Sequence, residues 1–421
     1  MTKQLEKGQS IQIRVDRMAH GGEGIGKAED GRIVFVRGAA PGDTVTATLT
    51  KVKKSMAFAE VASVVEAGEY RTESSCPAAD AGAGCCDFSF VVPEKEPELK
   101  ASVLRDQLGR VAKLEEIPAI HVVDLLPHRH WRTRVRLGVD SQGRAGLRKK
   151  GSHELVTDEV CTQLVDGLVD GIVGEGARRF TPGSEVIVVL DSQDKRHVVE
   201  SRKASRGRRV ETITQVIEGS GTVVETADDI DFSFPATAFW QAHGAAPDEY
   251  AEIVRRMLAG TVRAGQPPVG WDLYGGVGLF VPALAESLED AARAVNRGES
   301  APTKVISVDY SPAATAAEQP GLSAYDVEVI TNKVEKVADQ LIAPTAVVLD
   351  PPRTGAGKEV ISTVAAAGPA RIVHIGCDPA TFARDVAYWG AHGYEVNDLV
   401  MVNAFPGTSH FETLARLVPA S

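Results

Sequence analysis

Apolar positions along this chain change texture twice. Up to about residue 66 they alternate with polar residues in short runs: Ser10 to Val15, Gly31 to Val36, Thr44 to Leu49 and Met56 to Val61. Alternation of this kind predicts strands with one buried face, and the Gly/Pro punctuation at His20-Gly21-Gly22-Glu23-Gly24 and Ala40-Pro41-Gly42-Asp43 predicts turns, together a small β-barrel. From 67 to 235 the pattern is mixed. Glu98 to Leu108 has the apolar spacing of a helix, Arg134 to Asp140 alternates like a strand before a Ser141-Gln142-Gly143 hairpin turn, and Cys161 to Val173 again reads as a helix. A small α+β domain with a half-exposed sheet is the expectation. Beyond 236, apolar runs alternate with Ala-rich helical stretches, as βαβ units on a parallel sheet require. The predicted strands are Val269 to Tyr274, Val305 to Asp309, Asp326 to Thr331, Ala346 to Asp350 and Arg371 to Ile375, with two more near Glu395 to Asn403 and Phe411 to Val418. The chain thus divides at 1–66, 67–235 and 236–421.

The polar residues that carry chemistry sit at the exits of those last strands. Gly275, Gly276 and Gly278 follow one strand and precede the apolar helix predicted from Leu279 to Glu286, where glycines let backbone approach a ligand at a helix N-terminus. Asp309 ends the next strand, the place where an acid in such folds holds a ribose. The G-x-G-x-x-G spacing of NAD sites is absent, so with Asp272 and Asp309 in place a class I S-adenosylmethionine site is the better reading. Asp350-Pro351-Pro352-Arg353 leaves another strand in an extended shape fixed by its prolines. Cys377 lies in the turn just past Arg371 to Ile375, outside the apolar run where a structural cysteine would sit. Pro406-Gly407-Thr408-Ser409-His410-Phe411-Glu412 adds a carboxylate near the C-terminus. A thiol, a carboxylate and a cofactor loop point to covalent catalysis with a proton abstraction.

Composition narrows this further. No apolar run is long enough to cross a bilayer, and the first residues lack the apolar stretch of a signal peptide, so a cytoplasmic protein is expected. The five cysteines, Cys76, Cys85, Cys86, Cys161 and Cys377, are too few and too uneven for a secreted disulfide framework; clustered in a reducing compartment they point to a metal or cluster. The formal net charge of -11 opposes a nucleic-acid partner, yet basic residues gather at Lys51 to Lys54, Arg129 to Arg136, Arg148 to Lys150 and Arg202 to Arg209, where local patches can hold a phosphate backbone.

The first segment resembles a TRAM domain, an OB-like RNA-binding module, through His20-Gly21-Gly22-Glu23-Gly24-Ile25-Gly26 and Pro41-Gly42-Asp43. The whole chain resembles the RNA 5-methyluridine methyltransferase family. Four motifs in order carry this: Ala238-Phe239-Trp240-Gln241, Asp272 to Gly278, Asp350 to Arg353, and the Cys377 turn followed by Glu412. The resemblance implies a Rossmann-like class I methyltransferase domain behind an OB-like barrel and a small α+β domain. It implies transfer of a methyl group from S-adenosylmethionine to carbon 5 of a uridine in RNA by a monomer, ribosomal 23S RNA being favoured over tRNA. Cys377 would attack carbon 6 and Glu412 would remove the carbon 5 proton, with His410 positioning it. Gln241, Tyr274, Gly276, Gly278, Asp309, Asn332 and Asp350 would line the cofactor and uracil sites. Many members also bind a 4Fe-4S cluster, here matched by Cys76, Cys85, Cys86 and Cys161, although the family usually separates its second and third cysteines by two residues. Two other departures stand out. The family often has Cys at Gly275, a change that should spare a backbone-lined loop, and usually Glu at Asp309. The competing readings are a tRNA uridine-5 methyltransferase, a catalytically silent RNA-binding or RNA-folding protein, and a methyltransferase for a base nitrogen, which would not need the cysteine.

Overall fold

In the computed structural model, which describes residues 5–206, 209–262, 267–295, 302–311, 315 and 319–420, the alternating N-terminal runs close into a barrel. Its strands are β1 (Ser10–Met18), β2 (Gly24–Lys27), β3 (Ile33–Arg37), β4 (Thr44–Val52) and β5 (Met56–Glu66), in the order β1-β2-β3-β5-β4. The inward set is the apolar half of each alternation: Ile13, Val15, Val34, Val36, Val45, Ala47, Leu49, Ala57 and Ala59. Strand β2 was not expected, because Gly24 and Gly26 make it read as turn. A Cβ at Gly26 would collide with the Arg14 carbonyl oxygen, so the crossing with β1 itself demands glycine there.

Asp43 locks this barrel to the segment after it. Fully buried, it accepts from Ala40 N (2.7 Å) and Gly68 N (2.8 Å), and the Arg71 guanidinium pairs with it at 2.7 Å.

The middle of the chain supplies β6 (Ile120–Asp124), then a six-stranded antiparallel sheet in the order β12-β11-β10-β7-β8-β9. Its members are β7 (Arg134–Val139), β8 (Ala145–Arg148), β9 (Leu155–Val156), β10 (Glu185–Leu190), β11 (Arg196–Arg206) and β12 (Arg209–Glu218). A separate hairpin pairs β13 (Thr222–Ala227) with β14 (Ile230–Pro235). The helix expected from Cys161 to Val173 does not form; the segment is a series of turns. Gly167, Gly171 and Gly174 all have positive φ, at 76°, 69° and 102°, which breaks any helical run, while Leu164, Leu168, Val169 and Ile172 still pack into the core.

Every strand expected after residue 236 is present: β15 (Val269–Leu273), β16 (Lys304–Asp309), β17 (Asp326–Thr331), β18 (Ala346–Leu349), β19 (Arg371–Gly376), β20 (Tyr394–Asn403) and β21 (Glu412–Pro419). They form an eight-stranded sheet in the order β17-β16-β15-β18-β19-β21-β20-β6, in which β6 joins as an edge strand parallel to β20 and β21 runs antiparallel to both neighbours. The expected helix at Leu279 starts at Val281 and runs to Val295. Alternate residues feed two cores. Ala346 and Val348 pack with Ile253, Val254 and Leu284 of the helices Ala246–Leu258 and Val281–Val295. Val347 and Leu349 pack with Leu104, Ile361 and Phe382, from the helices Glu96–Gln107, Gly357–Ala367 and Pro379–Ala391. Helices on both faces leave the carboxyl ends of the strands as the open edge, and strand order reverses between β15 and β18, where such sheets bind ligands.

Replacing Asp43 by Ala strands the Arg71 guanidinium and two backbone amides, so it should lower stability by on the order of 3 kcal/mol in a urea titration. A loss near zero would mean that Asp43 does not fasten the barrel.

Candidate active site

Strand register builds the site. Gly376 of β19 pairs with Thr413 of β21, so the next residues outward, Cys377 and Glu412, emerge side by side at the open edge. Cys377 is half-buried and Glu412 is buried. Asp378 caps the helix Pro379–Ala391 by accepting from Ala380 N (3.1 Å) and Thr381 N (2.9 Å), which fixes the turn that presents the thiol. The same helix holds the loop after β18: Thr381 Oγ1 donates to Arg353 O at 2.9 Å and Arg384 Nη2 to Thr354 O at 2.8 Å. From that loop the Arg353 guanidinium reaches the Cys377 sulfur and, at 2.8–2.9 Å, the His410 ring. His410 therefore sits against Arg353; the expected role of orienting Glu412 has no contact behind it among the described residues.

The charges here are unbalanced. Burial pushes the Cys377 thiol up to about 12, with Glu412 and Asp350 adding to the shift and Arg353 opposing it. Burial also drives Glu412 well above the carboxylate range, with Asp350 adding and Arg353 again opposing. Asp350 is raised to about 7 by desolvation and by Asp272. Desolvation raises Asp272 to about 7 as well, reinforced by Asp309 and countered by a 2.8 Å hydrogen bond from Ser307 Oγ. One cation thus serves both the Cys377 thiol and Glu412, and Glu412 Oε2 has no hydrogen-bond partner among the described residues.

Sequence reasoning missed Tyr250. It comes from the helix Ala246–Leu258, is 1% exposed, and its hydroxyl has no partner among the described residues. Burial raises its pKa well above the usual value, and the charges of Glu412, Asp350 and Cys377 raise it further. The available signal was a hydroxyl on an otherwise apolar helix face with Ile253, Val254 and Met257.

At the glycine loop, Tyr274, Gly276 and Gly278 have φ of 61°, 57° and 94°. Gly276 N donates to Asp309 Oδ2 at 3.0 Å, Ser311 N to Asp309 Oδ1 at 2.6 Å, and Asn332 N to the Asp309 carbonyl at 3.0 Å. Asn332 turns its own Oδ1 back to Lys333 N at 2.8 Å. A Cβ at Gly275 would collide with the Asp272 carboxylate and the Ser307 hydroxyl, so the packing here calls for glycine. A cavity of about 40 Å³ between Gln241, Tyr274, Gly276, Phe280 and Asp350 links the loop to the Asp350 carboxylate. A larger one, about 500 Å³, lies past Gly276 and Gly278 against Val281, Leu322, Tyr325 and Val327 and includes none of the acids around Cys377.

The four remaining cysteines converge as well. The Sγ atoms of Cys76, Cys85, Cys86 and Cys161 all lie within 4.8 Å of one another. Beside them a cavity of about 570 Å³ is shared by Gly21 of the barrel, Arg132, Arg136, Lys150, Ser409 and His410. Not all of the basic run from Arg129 to Arg136 is surface: Arg134 is taken up by Glu225 at 3.2 Å and by the Ala238 carbonyl. Positions 207 and 208 of the run Arg202 to Arg209 lie outside the described residues.

Comparison with known proteins agrees with this geometry. The TRAM domain family matches residues 4–62, and the tRNA (Uracil-5-)-methyltransferase family matches residues 322–418. A Corynebacterium glutamicum protein named as an uncharacterized RNA methyltransferase is 50% identical over 100% of this chain and 99% of its own length. The chain belongs to the RNA uracil-5-methyltransferase family. A Streptomyces coelicolor member, also named as an uncharacterized RNA methyltransferase, is 33% identical over 98% of this chain and 94% of its own. The crystal structure of a Pyrococcus abyssi tRNA (uracil-54, C5)-methyltransferase with S-adenosyl-L-homocysteine superposes with a TM-score of 0.67 over 97% of this chain and 100% of that one, at 18% identity, a likeness of fold. This family member is accordingly an S-adenosylmethionine-dependent RNA methyltransferase with an N-terminal TRAM domain on a class I fold. No helix among its described residues is long and apolar enough to cross a membrane.

Because the resting thiol is held so high, alkylation of Cys377 by iodoacetamide should be slow at neutral pH and still accelerating at pH 10, where an ordinary exposed thiol has levelled off. Arg353→Gln should slow it further at any given pH, and Glu412→Gln should speed it. A rate that levels off below pH 9 would show that the charges around Cys377 are balanced.

Proposed function

We propose that this enzyme methylates carbon 5 of a uridine in 23S ribosomal RNA, with Cys377 as nucleophile and Glu412 as the base. The observation that carries this reading is the meeting of Cys377 and Glu412 at one desolvated point through the pairing of β19 with β21, with Arg353 of the loop after β18 beside them. Carbon 5 of uracil is too weak a nucleophile unaided. Cys377 first gives up its proton to solvent, leaving a thiolate beside Arg353; bonding of that sulfur to carbon 6 moves the ring double-bond electrons toward carbon 5 and oxygen 4, giving an enolate that is nucleophilic at carbon 5. S-adenosylmethionine supplies the electrophilic methyl group. Glu412 then takes the carbon 5 proton, those electrons restore the double bond, and the carbon 6–sulfur bond breaks to return the thiolate.

The charge imbalance gives this order a physical basis. Once sulfur is bound to carbon it carries no charge and no longer competes with Glu412 for Arg353. Glu412 is then free to ionise beside Arg353 at the step that needs a base. This is the pattern of acids whose environments keep their proton affinities apart.

The residues fit the cofactor. Gly276 has open space where a Cβ would sit, and its amide and the Asp309 carboxylate already meet at 3.0 Å. We assign the hold on S-adenosylmethionine to Tyr274, Gly276, Gly278 and Asp309, with Asn332 beside them and Gln241 and Asp350 at the uracil end. The target base must leave its stack to arrive there. The 570 Å³ cavity flanked by Arg132, Arg136, Lys150 and His410 supports an RNA path from the barrel toward Arg353. The TRAM domain and the cysteine cluster together favour the ribosomal class. The tRNA reading draws on the name of the matched family and on the Pyrococcus abyssi enzyme. We write the reaction for a monomer, since Cys377, Arg353 and Glu412 come from one chain, and place it in the cytoplasm, where RNA and S-adenosylmethionine meet. The 4Fe-4S expectation fits poorly: sulfurs within 4.8 Å of one another are too close to surround four irons and four sulfides, and no step is routed through such a cluster.

With S-adenosylmethionine and RNA carrying 5-fluorouridine, from which the base has no proton to remove, a covalent protein–RNA adduct at Cys377 is expected in denaturing gels. Glu412→Gln should accumulate the adduct on ordinary RNA. Turnover by Cys377→Ala would remove covalent catalysis and favour a methyltransferase that does not need the cysteine; absence of adduct and of turnover in all cases would favour a silent RNA-binding protein. Offering 23S RNA and tRNA from a strain lacking the gene as separate acceptors decides the substrate; methyl incorporation into tRNA alone would overturn the ribosomal assignment.

A further inference from the structure

The four cysteines outside the active site form a second centre whose geometry differs from the one the family suggests. All four sulfurs lie within 4.8 Å of one another, with Cys76–Cys85 at 3.8 Å and Cys86–Cys161 at 3.4 Å. Thiolates at about 2.3 Å from one tetrahedral ion are about 3.8 Å apart. In a cubane each thiolate binds a different iron, and the inorganic core between them forces the sulfurs well beyond that spacing. Cys85 and Cys86 are also neighbours in sequence, which brings their sulfurs to one ion more readily than to two separate corners. Cys76, Cys86 and Cys161 are 1%, 4% and 2% exposed, while Cys85 is half-buried beside the 570 Å³ cavity, so three of the four donors are shielded from solvent.

We infer that Cys76, Cys85, Cys86 and Cys161 bind a single tetrahedral divalent ion, and that the all-sulfur donor set selects zinc. Four thiolates around such an ion carry net negative charge. The positive partner is present: Arg132 lies in the field of Cys161, Cys86 and Cys85, stacked 4.7 Å over the Trp131 ring and bonded to Gln163 Oε1 at 3.2 Å.

The ion acts as a staple for the loop that leads into Glu412. Gln163, two residues past Cys161, donates from Nε2 to the Cys85 carbonyl (2.9 Å) and to the Pro406 carbonyl (3.3 Å). Asp87, next to Cys86, accepts from Ser409 N at 3.0 Å and Ser409 Oγ at 2.8 Å, and Phe88 N donates to the Gly407 carbonyl at 3.0 Å. The cysteine segments thus grip residues 406–409 directly. The metal is a positioning element, with ligands other than Cys377 and Glu412.

The test is elemental analysis of the full-length protein purified without oxygen from cells supplied with both iron and zinc, together with assay of acid-labile sulfide and the visible spectrum. One zinc per chain, no labile sulfide and no visible absorbance are expected. Four irons with sulfide would overturn the inference, and so would metal-free protein. Cys161→Ser should lose the zinc to a chelator at least tenfold faster than wild type, whereas Cys377→Ser should keep it; equal release from Cys161→Ser and wild type would place the zinc elsewhere. Should Cys161→Ser fail to fold, the wild-type metal count decides alone.

Discussion

One guanidinium among three acids is the constraint on which the rest of this protein turns. Cys377 and Glu412 share the Arg353 charge in a desolvated corner that Asp350 borders, and all three are shifted toward their protonated forms. Two buried negative charges on a single cation are too costly to coexist, so ionisation of one suppresses ionisation of the next. For a reaction that needs first a thiolate and later a carboxylate, that antagonism sets the sequence of events. A charge leaving sulfur on bond formation is the signal that lets Glu412 act.

The fold supplies this corner by simple means. Antiparallel insertion of β21 beside β19 sets the thiol and the carboxylate at one edge, though a helix and a strand separate them along the chain. The helix after Cys377 does two further jobs: its Asp378 cap fixes the cysteine turn, and its Thr381 and Arg384 hold the backbone of the loop that carries Arg353. A site assembled on strand ends and a capped helix is held more tightly than one built on free loops. The loop before Glu412 lacks such elements and is instead gripped from outside, by Gln163, Asp87 and Phe88.

Much of this could be read in the chain before its structure. Strands of a doubly wound sheet are short apolar runs ended by polar turns, so β15 to β21 were legible, and with them the exits where Asp309, Asp350 and Cys377 stand. Legibility failed where glycine misled or where burial came from elsewhere. Gly24 and Gly26 hid β2, although the barrel needs them for close strand crossing. Cys161 to Val173 has helical spacing but two positive-φ glycines within it and a third, Gly174, just after it. Edge strand β6 is half-exposed and carries little apolar signal. Tyr250 and the pairing of Arg353 with His410 depend on tertiary contact, which no local pattern reports. The net charge of -11 pointed away from RNA, yet Arg136 and Lys150 face a cavity that runs beside the barrel to His410. Whole-molecule charge governs approach; the local field governs the grip.

The central claim concerns the proton on Glu412, and a carboxyl-carbon NMR titration of the free enzyme, with the resonance assigned by its loss in Glu412→Gln, tests it most directly. The account requires a midpoint well above the usual carboxylate range, moving higher in Arg353→Gln and lower in Asp350→Asn. A midpoint in the ordinary range, unmoved by either change, would contradict it.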